Sequence, residues 1–150
     1  MARDPAIVHL ATHVLESSSQ PAHGLIALSL SPQRENQLLS PQEIAGWRTR
    51  AGVIVMSGCH SAEGPILPGT GLLGLTRAWL VAGARSVVAS NWATPDESGT
   101  LFSALYRHLS ADQVSGPAAA LRAAQLEMLR SGGWRAQPRY WGAYFVMGTQ

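Results

Sequence analysis

One cysteine, Cys59, stands in 150 residues, so no internal disulfide can form. The core must come from apolar burial, and a reducing compartment is the simplest setting. Lysine is missing altogether. The eleven basic residues are all arginines, scattered from Arg3 to Arg139, and the formal net charge is only +2. That pattern lacks the basic stripe with interleaved aromatics that tracks a phosphate backbone, so no nucleic-acid partner is expected. No apolar run approaches the roughly 20 residues of a membrane span. The start, "MARDPAIVHLATH", lacks the basic end, long apolar stretch and small-residue cleavage site of a signal peptide. A cytoplasmic protein with no membrane partner is the expectation.

What is present suits one α/β domain. "AIVHLATHV" (6–14) and "GLIALSL" (24–30) read as strands that can pair as a hairpin, and "GVIVMS" (52–57) and "RSVVAS" (85–90) as short buried strands. "SPQEIAGW" has Ser40 as a cap, Pro41 at the first helical position and Glu43 at the third, a capping box. Helices follow in "TGLLGLTRAWLVAGA", in "TPDESGTLFSALYRHL" with Thr94 as its cap, and in "GPAAALRAAQLEMLRSGG"; "YWGAYFVMG" closes the chain as a strand. This alternation predicts a largely parallel sheet with helices on its faces, whose sites gather beyond the carboxyl ends of the strands.

Three predicted strands break off at unusual residues: "HLATH" at His13, "MSGC" at Cys59 and "ASNW" at Trp92. If the strands are parallel neighbours, His13 and Cys59 emerge at one rim. A thiolate nucleophile and an imidazole that lowers its pKa and protonates a leaving amine are the minimum for covalent acyl transfer. The plain alternative is that Cys59 fills the core, since cysteine is among the most buried residue types. His9, inside its strand, reads as structural, and His60 as a neighbour of the thiol.

The segments "IVHLATH", "IVMSGCHSAEG", "GTGLLGLTRAWLVAGARSVVASNWATPDE" and "YWGAYFVMG" together resemble the CHAT domain, a caspase-like cysteine peptidase family related to separase. The resemblance runs from about Ile7 to Gly148. It implies a caspase-like three-layer α-β-α sandwich and a Cys–His dyad, with His13 and Cys59 at the dyad positions and no cofactor. It further implies an oxyanion hole from the backbone N–H groups of Val14 and Cys59. Substrate peptide would lie along Ser90, Asn91 and Trp92, and Asp96 would receive a basic P1 side chain. In its favour as a mere helix residue, Asp96 falls where a first-turn acid suits the macrodipole.

Two departures stand out. Val14 replaces the glycine common after the dyad histidine, and a β-branched residue has fewer backbone conformations. Only 12 residues precede His13, fewer than the family pattern. The expectation is therefore that N-terminal strands are missing or supplied by another chain, or that this is the C-terminal portion of a longer protein carrying a repeat or sensor domain. The function expected is a cysteine endopeptidase acting on a protein or peptide. The rival is a catalytically inactive interaction or regulatory module of the same fold. "GTGLLG" (69–74) matches a dinucleotide fingerprint in form only. Some ten residues of loop separate it from the preceding strand, and the expected acid is missing. A zinc site from His9, His13, Cys59 and His60 has no ligand spacing to support it.

Overall fold

The computed structural model describes residues 7–16, 24–29, 37–58, 70–92, 94–95, 99–111 and 116–148. The first apolar run, which reads as one strand, is two. β1 (Ile7–Leu10) and β2 (Val14–Glu16) lie in different sheets, with the break at residues 11–13. β2 pairs antiparallel with β3 (Gly24–Ser29), so the hairpin expected of the run 6–14 is made by residues 14–16 instead, and β3 pairs antiparallel with β4 (Gln37–Leu39).

α1 (Pro41–Ala45) opens on the capping box. The Glu43 N–H donates to Ser40 Oγ at 3.2 Å, and the Ser40 N–H donates to Glu43 Oε2 at 2.8 Å. These bonds satisfy two donors that a helix start leaves open. β5 (Val53–Met56), α2 (Thr70–Val81), β6 (Ser86–Ser90), α3 (Gly99–Leu109), α4 (Gly116–Arg130) and β7 (Tyr144–Gly148) follow. α3 begins at Gly99, four residues after the Pro95 start expected: Thr94 is not its cap, but is buried with its hydroxyl 2.8 Å from that of Tyr144. The final strand is also shorter than expected, because a 3-10 turn at Pro138–Tyr140 occupies the start of "YWGAYFVMG".

The main sheet runs β1-β5-β6-β7; the first three strands are parallel and β7 is antiparallel. Alternation along β5 and β6 sends side chains to both faces. Ile54, Met56, Val87 and Ala89 pack with Ile44, Leu75 and Trp79 of α1 and α2. Val53, Val55 and Val88 pack with Leu101, Leu105, Ala124 and Met128 of α3 and α4. The chain is thus an α/β fold with helices on both faces of a mostly parallel sheet. Two-sided burial explains why β5 and β6 are continuous apolar runs.

In α2, Leu75 and Trp79 are core residues, as their helical spacing predicts. Gly74 closes the "GTGLLG" run and stands inside α2. A Cβ there meets no atom of the described residues within 4 Å, so among them the close packing for which a dinucleotide fingerprint needs its third glycine is missing.

Candidate active site

Past the carboxyl ends of the parallel strands the backbone divides. β1 and β5 remain paired through Leu10 and Met56, and the Ser57 N–H then donates to the Leu10 carbonyl at 3.2 Å. β5 and β6 are in register only from Val53–Ser86 to Val55–Val88. β6 instead follows β7 through Ser90–Tyr144, and the Asn91 N–H donates to the Ala143 carbonyl at 2.9 Å. This end of the strands is where α/β sheets hold their sites.

A cleft of 480 Å³ lies at this end, between the exits of β1 and β5 and the wall of α3. His9, His13, Ser57, Gly58, Phe102 and Tyr106 are among its lining residues. His13 is exposed at its rim, in the link between β1 and β2, and its carbonyl accepts the Ala27 N–H at 2.9 Å. The Thr12 hydroxyl donates to the Ala27 carbonyl, so two contacts with β3 tie the link down.

The end of β5 is pressed against this link. A Cβ on Gly58 would overlap the Thr12 carbonyl oxygen and stand 2.9 Å from the carbonyl carbon. Only glycine permits so close a backbone approach. Cys59, the next residue, lies outside the described residues, as does Asp96.

Val14 is the first residue of β2, in extended backbone, with its side chain buried at 7% exposure. Extended backbone suits a β-branched residue, so no strain attends valine here. Val14 faces Ile26 next to the hydrogen-bonded His13–Ala27 pair. By antiparallel alternation, its N–H therefore points away from β3. Ser90 is buried at 3% exposure. Asn91 is exposed with its N–H already engaged, and Trp92 is 47% exposed.

Three residues that sequence reading did not join line this cleft together. His9 Nε2 is 2.7 Å from Ser57 Oγ, and His9 Nδ1 is 2.6 Å from the Tyr106 hydroxyl. Its ring also packs on Phe102 at a centroid distance of 5.2 Å. With both ring nitrogens engaged, His9 has no lone pair left for a metal. Burial holds the His9 pKa below its ordinary 6.5 and pushes the Tyr106 hydroxyl up to about 12. Sequence signals for this group do exist. His9 is the polar member of "IVHL", and Tyr106 follows Phe102 by one helical turn, on one face of α3.

No helix among the described residues is long and apolar enough to cross a membrane. Comparison with curated proteins gave no match. The CHAT domain family model matches residues 1–149. The chain belongs to the CHAT domain family and is a module related to the caspase-like peptidases.

Proposed function

We propose that the chain is a cysteine endopeptidase in which Cys59 is the nucleophile and His13 the acid/base. The observation that carries this reading is the approach of Gly58 to Thr12. Gly58, which precedes Cys59 in the sequence, lies against the link that bears His13. A cleft large enough for a substrate side chain opens at the same point.

In the proposed reaction the Cys59 thiolate attacks the scissile carbonyl and forms a tetrahedral oxyanion. The N–H groups of Val14 and Cys59 stabilise that charge. The intermediate collapses as the C–N bond breaks, and His13 gives its proton to the leaving amine. Water then hydrolyses the Cys59 thioester, releasing the acid and the free thiol. Ser90, Asn91 and Trp92 would line the extended substrate, with Trp92 covering an apolar side chain. Asp96 falls in sequence between Pro95 and Gly99, both of which line the cleft, and there it would receive a basic P1 side chain.

A peptide library tests the reading directly. Cleavage lost in Cys59→Ala and in His13→Ala, with a basic P1 preference lost in Asp96→Ala, is the expected result. A wild-type chain that cleaves nothing, with a thiol of ordinary reactivity, would identify the inactive regulatory module instead.

A further inference from the structure

His9 joins three elements that meet nowhere else through side-chain hydrogen bonds among the described residues. It stands on β1, bonds Ser57 just past the end of β5, and bonds Tyr106 on α3. Neutral imidazole carries one N–H, so one ring nitrogen donates and the other accepts. The two hydroxyls can each take either part, so the chain of bonds closes in both tautomers. Phe102 and Tyr106 pack on the ring at 5.2 and 5.7 Å between centroids and fix its plane.

The placement of this group gives it a consequence for the site. Ser57 is two residues before Cys59, and Gly58 between them is wedged against Thr12. α3 is the opposite wall of the cleft. We propose that Tyr106, His9 and Ser57 form a strut that sets the position of the Cys59 lead-in relative to His13 and the α3 wall. His9 is in this view a positioning residue, distinct from the acid/base His13.

Misplacing a reacting group by about 1 Å can slow a reaction on the order of 100-fold, so a strut of two short bonds is enough to matter. It also explains why a polar ring is kept in the middle of an otherwise apolar strand. The inference rests on the reading of Cys59 and His13 as a dyad.

Alkylation by iodoacetamide reads one site here, because Cys59 is the only thiol. The experiment measures its rate against pH in the full chain, in Ser57→Ala, Ser57→Thr, Tyr106→Phe and His13→Ala. In the wild type the thiol should titrate well below the free value of about 8.5. Ser57→Ala and Tyr106→Phe should each raise that pKa, with a rate at pH 7 lower by about 10-fold. Ser57→Thr, which keeps a hydroxyl, should recover it. Tyr106→Phe removes a single oxygen and keeps the ring, so circular dichroism matching the wild type separates positioning from misfolding. If His13→Ala raises the thiol pKa while Ser57→Ala and Tyr106→Phe leave it in place, the strut is overturned and the dyad stands. If His13→Ala leaves it unchanged, the dyad fails and the strut falls with it.

Discussion

β1 and β5 are paired residue for residue, Ile7 with Val53 through Leu10 with Met56. As sequences they are close equivalents, "IVHL" and "VIVM". Their surroundings are opposite. All four residues of β5 are buried, while Ile7, Val8 and His9 are exposed. β5 has a strand on either side and helices over both faces. β1 ends the order of described strands, and its outer edge has no described partner. Apolar β-branched content therefore reports that a segment is a strand, and leaves its rank within the sheet undetermined. The difference also shows where polar chemistry is tolerated. A histidine at a β5 position would lose its water entirely; on β1 it keeps partial solvent contact and finds two partners.

Truncation of both strands at one register step should separate them most strongly. Ile54→Ala should destabilise by about 2–5 kcal/mol, as buried aliphatic deletions do. Val8→Ala, its partner across the pair, should stay within about 0.5 kcal/mol, as exposed substitutions do. Urea unfolding midpoints of the two variants check this, and equal losses would show that the β1 edge is covered in solution.

A smaller effect is expected where the exits of the two strands meet. Gly58→Ala places a methyl group against the Thr12 carbonyl. The loss should fall within the roughly 1–3 kcal/mol of overpacking, read by the same unfolding measurement. A neutral outcome would mean that the two exits are free to part.

The smallest effect is electrostatic and separates the strands by pH, since β5 carries no titratable group. Burial lowers the His9 pKa in the folded chain below the ordinary 6.5. The unfolded chain then binds this proton more readily. The His9 contribution is complete above about pH 6.5 and is lost as pH falls through the folded value. Wild-type unfolding midpoints should decline below pH 6.5, and less steeply in His9→Gln. The carboxylates held low by hydrogen bonds, Glu43 by Ser40 and Glu127 by Arg107 and His108, act in a separate window below 4.5. NMR titration of the His9 ring gives the direct check, and an inflection above 6.5 would reverse the sign.

Legibility in the sequence followed the range of the interactions involved. The α1 capping box depends on residues three apart, and it was readable in full. β5 and β6 were readable because two-faced burial demands continuous apolar runs. The break between β1 and β2 was not, since apolar residues continue through Leu10, Ala11 and Val14. Only a contact from β3 to His13 and Thr12 shows why the chain turns there. β4 spans three residues, too few for alternation to register. At the site, His13 was marked by its place at the end of an apolar run. The role of His9 was hidden, because its partners lie 48 and 97 residues away along the chain. Val14 looked like an obstacle when judged by residue type, and it is comfortable once its backbone is known to be extended.

The parting of β5 and β6 beyond Val55 and Val88 bears on how such a domain can change over time. Each strand leaves the centre of the sheet by keeping faith with its outer neighbour, so main-chain bonding sets the width of the gap. Substitutions at Ser103 or Pro95, which line the cleft, would therefore change its surface while these main-chain bonds stay intact. The lining of the cleft and the pairing that frames it can in this way vary independently.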